Sequence, residues 1–115
     1  MTITRIKPGP RMSQTVIHGD TVYTAGQIAD DSSQDLAGQT RQVLAKIDGL
    51  LAEAGSDKSK ILKSTIWLSD ISRFDEMNSV WDAWVDTDNP PVRACVQSTL
   101  AFPELLVEIM IEAAK

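Results

Sequence analysis

The sequence predicts an α+β protein in which one mixed β-sheet carries two helices on a single face. Stretches with the two-residue period of strands alternate with two stretches of helical period, in the order β-β-β-α-β-α-β-β. At 115 residues the chain is long enough for one core and too short for two, so we expect one domain spanning residues 1–115. Two helices cover only one face of such a sheet, which leaves the other face bare.

The first three predicted strands are short. Residues 2–7 indicate an edge strand that ends at a Pro-Gly-Pro stretch. Residues 15–17 and 21–24 are rich in β-branched side chains and flank Gly19-Asp20, which is the composition of a hairpin turn. Gly26 follows directly, where the missing side chain allows another group to approach the backbone closely.

A long amphipathic helix is predicted over residues 34–54, with Gly55 as its C-terminal cap. Residues 60–69 return to a period of two and predict a strand. We expect one face of that strand to carry four residues: Leu62, Ser64, Ile66 and Leu68.

A second helix is indicated by apolar residues at helical spacing, namely Phe74, Met77, Val80, Trp81 and Trp84. Ser72 stands three residues before Asp75, a pattern close to the capping box of a helix N-terminus. The two tryptophans are interpreted as packing between this helix and the sheet rather than as a ligand platform.

The last two predicted strands cover residues 92–97 and 105–113. On the final strand, one set of alternating residues is apolar and is expected to lie under the helices: Leu105, Val107, Ile109 and Ile111. The opposite set mixes apolar and acidic residues: Leu106, Glu108, Met110 and Glu112. Such a face is typically covered, and a second copy of the chain is the expected cover.

Arg93 lies on the polar side of the strand at 92–97, beside Cys95. A guanidinium is always charged, so it needs an anionic partner or water. We expect the two C-terminal strands to be neighbours because their connection is short, which would bring Glu108 near Arg93. Two interpretations stay open at this point: an internal ion pair, or a site where arginine binds a carboxylate while glutamate handles a proton.

Composition excludes several function classes. A net charge of −5 without a basic run disfavours nucleic acid as a partner. One cysteine and one histidine allow neither an intrachain disulfide nor a structural zinc site, and we expect no metal and no cofactor. No apolar run reaches 18 residues and no signal peptide is evident, so we expect a cytoplasmic protein without a membrane partner.

Four segments together show a family likeness: TAGQI (24–28), WLSDISRFDEMNSVW (67–81), PVRACV (91–96) and LVEIMIEAA (106–114). In this order and spacing the chain resembles the RidA/YjgF family of imine and enamine deaminases. The resemblance implies a chorismate-mutase-like fold and a homotrimer whose sheets face inward, with the helices outside. It also implies hydrolysis of 2-imino or 2-enamino acids to 2-keto acids and ammonia without a cofactor.

The resemblance implies an active site in the cleft between adjacent subunits. Arg93 would bind the substrate carboxylate, and Glu108 would polarise a water for attack on the imine carbon. Cys95 would line the pocket, and its backbone would help to hold that water. Asn78 and Gly26 complete the implied site, with the Gly26 amide approaching the carboxylate.

Two positions depart from the best-known members of that family. Met12 stands where they have a tyrosine, and Ala25 stands where they have a serine. Both changes remove a hydroxyl from the implied pocket, which should alter substrate choice or rate. One alternative to a deaminase therefore stays open: a non-catalytic trimer that binds small carboxylates such as keto acids, or acts in a chaperone-like way. A third interpretation, a nuclease or translation inhibitor, is attached to the family name, and the net charge of −5 without a basic stripe disfavours it.

Overall fold

The computed structural model describes residues 1–115 and contains six strands and two helices. The elements are β1 Ile3–Ile6, β2 Thr15–His18, β3 Thr21–Thr24, α1 Leu36–Glu53, β4 Ile61–Leu68, α2 Phe74–Trp84, β5 Val92–Gln97 and β6 Val107–Ala114. Short 3₁₀ turns at Lys58–Lys60 and Ile71–Arg73 precede β4 and α2. The predicted order of elements is confirmed.

The six strands form one mixed sheet in the order β1-β2-β3-β6-β4-β5. β4 and β5 are parallel because α2 connects them as a crossover helix, and every other pair is antiparallel. β6 enters between β3 and β4. The two C-terminal strands are therefore not neighbours, and the prediction that they pair is wrong.

Both helices pack on one face of the sheet and enclose the apolar core. On β6 the side chains of Val107, Ile109 and Ile111 are buried under them, as predicted. Asp35 caps α1 through its carboxylate, which accepts from the Gly38 amide at 2.9 Å. Gly55 follows the helix with a φ of +79°, a conformation that favours glycine at this position. Neither helix is long and apolar enough to cross a membrane.

Two local predictions for this region are wrong. Leu62 is 53% exposed rather than buried, because the β4–β6 register shifts between Ile61 and Lys63 and gives the buried position to Ile61. Ser72 does not cap α2. The side chain of Asp70 instead accepts from the Ser72 amide and closes the 3₁₀ turn, and α2 begins directly after that turn.

The opposite face of the sheet carries no helix and exposes apolar side chains. Four of them are Tyr23 at 41% exposure, Val92 at 69%, Val96 at 48% and Met110 at 37%. They come from three strands, β3, β5 and β6, and share the face with Glu108 and Glu112. An apolar surface that spans several strands is typical of an interface with another protein chain.

Candidate functional site

Arg93 lies under α2, where two aromatic rings and an amide surround its guanidinium. Its Nη1 donates to Asn78 Oδ1 at 2.7 Å. The guanidinium carbon lies 5.5 Å from the ring centroid of Phe74 and 5.2 Å from that of Trp81, both within the range of cation–π attraction. We call Arg93, Asn78, Phe74, Trp81 and Cys95 the arginine cluster.

The geometry of α2 explains why these groups converge. Phe74, Asn78 and Trp81 are separated by four and three residues, so they share one face of the helix. The β4–α2–β5 crossover lays that face over the edge strand that carries Arg93. The helix face therefore positions the guanidinium, and the Arg93–Asn78 association implied by the family resemblance is present.

Arg93 has no acidic partner within the chain. The ion pairs of the protein join Lys7 to Glu53, Lys46 to Asp30, and Arg73 to Glu76. A guanidinium has five N–H donors, and Asn78 is the only hydrogen-bond acceptor that the Arg93 guanidinium reaches. The remaining donors are available to an anion from outside the chain.

Cys95 is half-buried on the same side of β5 as Arg93, two residues along the strand. Burial raises the pKa of the Cys95 thiol, and the nearby charge of Arg93 opposes this only in part. The thiol is thus neutral at pH 7 and lacks the activation that a nucleophilic cysteine needs. The one histidine, His18, is exposed on the surface of β2.

Glu108 forms a second cluster with Gly26 on the helix-free side of the sheet. Gln27 pairs with Ile109 through backbone hydrogen bonds of 2.8 and 3.1 Å, which brings Gly26 alongside Glu108. A Cβ placed on Gly26 would lie 3.0 Å from Cδ of Glu108 and would overlap its carboxylate. Glycine is therefore what lets the carboxylate lie against this backbone.

Hydrogen bonds that Gln14 accepts connect the loop before β2 to this second cluster. The Ala25 amide donates to the Gln14 carbonyl at 2.8 Å, and Gln27 Nε2 donates to Gln14 Oε1 at 3.1 Å. Met12 lies two residues before Gln14 and is 49% exposed. We call Glu108, Gly26 and Ala25 the glutamate cluster; its carboxylate takes part in no ion pair within the chain. Met12 lies outside this cluster, in the loop before β2.

The two clusters lie on opposite faces of the sheet. Arg93 is in register with Ser64, which is fully buried on the helix side of β4. Glu108 is in register with Trp67, three residues further along β4 and hence on the other side. The prediction that Arg93 and Glu108 are close neighbours is therefore wrong within one chain, and an internal ion pair between them is excluded.

Four aromatic residues, to which the sequence assigns no site role, differ in their relation to these clusters. Phe74 lies beside Arg93. Trp81 was expected only to pack; it is buried in the core as predicted and also lies beside Arg93. Trp84 packs toward α1, where its indole N–H donates to Asp48. Trp67 lies beside Glu108 in the β4–β6 register. The helical spacing of Phe74, Asn78 and Trp81 is the sequence signal that places all three on one face of α2.

Neither cluster has the composition of a metal site. No group of three or more histidine, cysteine, aspartate or glutamate side chains in the protein is arranged to hold a metal ion. The chemistry that the clusters offer is that of a free guanidinium, a free carboxylate and hydrogen-bonding amides.

Comparison with known proteins identifies the family of the chain. The family model described as Endoribonuclease L-PSP matches residues 2–115. The chain belongs to the RidA/YjgF family. Its sequence is 46% identical to the RutC family protein YoaB of Escherichia coli K12 over 114 residues, covering 99% of each chain. It is 45% identical to a RutC family protein of Haemophilus ducreyi over 112 residues, covering 97% of this chain and 96% of the relative.

A solved structure agrees with this RidA/YjgF assignment. A YjgF family protein from Neisseria meningitidis superposes with a TM-score of 0.97 at 43% identity, covering 100% of this chain and 96% of that one. The α+β fold with one mixed sheet and two helices is thereby confirmed as the fold of the family. The names of these relatives state a family and no reaction.

Proposed function

We propose that the protein hydrolyses reactive 2-imino and 2-enamino acids to 2-keto acids and ammonia. The observation that carries the proposal is the unpaired guanidinium of Arg93, which is held by neutral groups and has free N–H donors. Such a group is suited to bind a carboxylate through two parallel hydrogen bonds. Every 2-imino acid and 2-keto acid presents that carboxylate next to the reacting carbon.

Glu108 supplies the second function, which is to activate water. Its carboxylate lies against Gly26 without an ion-pair partner, so it is free to accept a proton. Water adds to the imine carbon, forming a C–O bond while the nitrogen takes up a proton. The C–N bond then breaks as the carboxylate passes the hydroxyl proton to the leaving nitrogen. Ammonia departs and the 2-keto acid remains. An enamino acid enters this sequence after tautomerising to the imine.

Because the sheet separates Arg93 from Glu108, we propose that two copies of the chain build each site. The helix-free face, with Val92, Val96 and Met110 exposed, is the surface on which a second copy would pack. A closed ring then places the arginine cluster of one copy beside the glutamate cluster of the next. The homotrimer typical of the family satisfies this requirement. Sedimentation equilibrium should give three times the chain mass of 12.6 kDa.

Cys95, Asn78, Met12 and Ala25 have supporting roles in this proposal. The neutral Cys95 thiol lines the pocket rather than attacking the substrate. Asn78 presents its amide beside the guanidinium. Met12 and Ala25 contribute no hydroxyl, so the pocket should favour substrates with apolar side chains over those that need an extra hydrogen bond.

A second candidate function is the binding of small carboxylates without turnover. The observation in its favour is the absence of a hydroxyl at Met12 and Ala25, where the best-known family members have tyrosine and serine. Such a protein would bind 2-keto acids through Arg93 yet leave the lifetime of imines unchanged. RNA cleavage, which the description of the family model names, receives no support from a chain of net charge −5.

The test generates imino acids in situ from several L-amino acids with an amino-acid oxidase and follows their loss by semicarbazone trapping. Wild type should shorten the imine lifetime, whereas Arg93→Ala should match the control without protein. Calorimetry with 2-oxobutyrate runs in parallel. Binding of 2-oxobutyrate without faster imine decay would reject the deaminase and support the second candidate. Absence of both would reject the carboxylate site itself.

A further inference from the structure

Arg93 is unusual in being half-buried beside the core while no carboxylate neutralises it. Removing a charge from water is costly unless something else stabilises it. An acidic neighbour would do so, but it would also pair with the guanidinium and compete with any anionic ligand. The chain stabilises the charge by other means, namely the rings of Phe74 and Trp81 and the carbonyl oxygen of Asn78.

We infer that Phe74 and Trp81 are positioning residues that fix the plane of the Arg93 guanidinium for a planar carboxylate while leaving its positive charge uncompensated. The inference rests on the proposed role of Arg93 as the carboxylate ligand and assigns a task to two residues outside the expected site. Asn78 Oδ1 fixes one edge of the guanidinium, and the two rings, at 5.5 and 5.2 Å, restrict its rotation. The free N–H donors then meet the ligand in a prepared orientation, which lowers the entropic cost of binding.

The chain contains two phenylalanines, and these provide a matched pair of substitutions. Phe74→Leu removes a ring beside Arg93. Phe102→Leu makes the same change at a 60% exposed residue in the loop between β5 and β6. Phe74→Tyr keeps a ring at this position and should bind a carboxylate as wild type does. Trp81 is 5% exposed and belongs to the core, so its substitution can also affect folding. Trp81→Phe keeps a ring and Trp81→Leu removes it. The two are compared once cooperative unfolding has been shown for both.

The first readout is the Nε–Hε signal of Arg93 in a nitrogen–proton NMR spectrum, assigned by its absence in Arg93→Lys. Ring currents should displace this signal in wild type, and titration with 2-oxobutyrate should move it further. In Phe74→Leu the signal should shift back toward the position of a free arginine. The dissociation constant for 2-oxobutyrate should rise about threefold to tenfold, the range that a cation–π contact supports. Phe102→Leu should match wild type in both respects.

Kinetics separate positioning from a merely structural role. If the rings only hold Arg93 for the carboxylate, Phe74→Leu should raise KM for an imino acid with kcat nearly unchanged, because the contact is present in both the ground state and the transition state. A general loss of structure would instead lower kcat and reduce the cooperativity of unfolding. A wild-type KM in Phe74→Leu would overturn the inference.

Asn78→Asp tests the uncompensated charge directly. This variant keeps the shape of the side chain but places a carboxylate 2.7 Å from Nη1 in the same geometry. It should bind 2-oxobutyrate at least tenfold more weakly than Asn78→Ser, because the new charge pairs with the guanidinium. Equal affinity in the two variants would overturn the inference. Since these binding measurements need no turnover, absence of deaminase activity in wild type would reject the proposed function and leave the positioning role standing.

Discussion

Arg93 and Glu108 lie on opposite faces of one sheet, with strand β4 between the strands that carry them. Each is free of ion pairs within the chain, and each is placed by a specific local device: an aromatic helix face for the arginine and a glycine backbone for the glutamate. Because the sheet keeps these two charged groups apart, they can act on the same substrate only if a second chain brings them together.

The close approach of Gly26 to Glu108 should be essential for turnover. In Gly26→Ala the new methyl group overlaps the carboxylate, which moves because it is the flexible end of its side chain. A displacement of about 1 Å at a reacting group can cost on the order of 100-fold in rate, so kcat should fall by about that factor. Binding of 2-oxobutyrate through Arg93 should change little. A Gly26→Ala variant with wild-type kcat would remove Glu108 from the proposed mechanism.

Gly49→Ala is the matched glycine control and carries its own prediction. A Cβ at Gly49 meets no atom within 4 Å, and the residue lies inside α1. Alanine in a helix interior is more favourable than glycine by about 1 kcal/mol, so the variant should be more stable. Thermal unfolding should shift upward by about 4 °C for a domain of this size. The imine turnover rate should equal that of wild type. If Gly49→Ala lost as much activity as Gly26→Ala, contact with Glu108 would not explain the loss in Gly26→Ala.

The Cys95 thiol should react slowly with alkylating reagents near neutral pH. Its pKa is raised by burial, so the reactive thiolate should appear only above the usual thiol range near 8.5. The fold favours the neutral thiol. The contribution of this thiol to the free energy of unfolding is therefore fully present below the unfolded-state pKa. It is lost as the pH rises through the folded-state pKa. Arg93→Ala should raise the thiol pKa further, because the guanidinium charge lowers it.

Alkylation by iodoacetamide followed from pH 6 to 10 measures this pKa, with unfolded protein as the reference. The folded protein should show a later rise in rate than the unfolded protein. Cys95→Ala should keep most of the imine hydrolysis. An alkylation midpoint below the usual thiol range, together with loss of turnover in Cys95→Ala, would instead indicate a nucleophilic thiolate.

The alternation of apolar residues was sufficient to predict the order of the elements and the buried side of β6. Val107, Ile109 and Ile111 face the helices because a period of two admits only one buried side. The pattern failed at Leu62, where a register shift after Ile61 reverses the alternation. Such a shift follows from the pairing of β4 with β6, which the local sequence does not show.

The position of Arg93 relative to Glu108 was beyond the reach of sequence periodicity. A short connection between two strands favours pairing, but α2 makes β5 the parallel edge neighbour of β4, and β6 takes the other side. The apolar side of β5, with Val92 and Val96, faces away from the helices and is exposed. The polar side instead lies under the aromatic residues of α2. The family resemblance named the candidate site residues, and the fold places Arg93 and Glu108 on opposite faces of the sheet within one chain.

Complementation between two inactive variants tests the composite site most directly. Arg93→Ala and Glu108→Gln should each abolish imine hydrolysis when assayed alone. If both are unfolded together and refolded as mixed assemblies, some interfaces combine the intact Arg93 of one copy with the intact Glu108 of the next. For random mixing in a closed ring, about a quarter of the sites should be intact, with a matching fraction of wild-type activity. Activity that stays at the level of the separate variants, in assemblies shown by mass to contain both chains, would contradict a site shared between subunits.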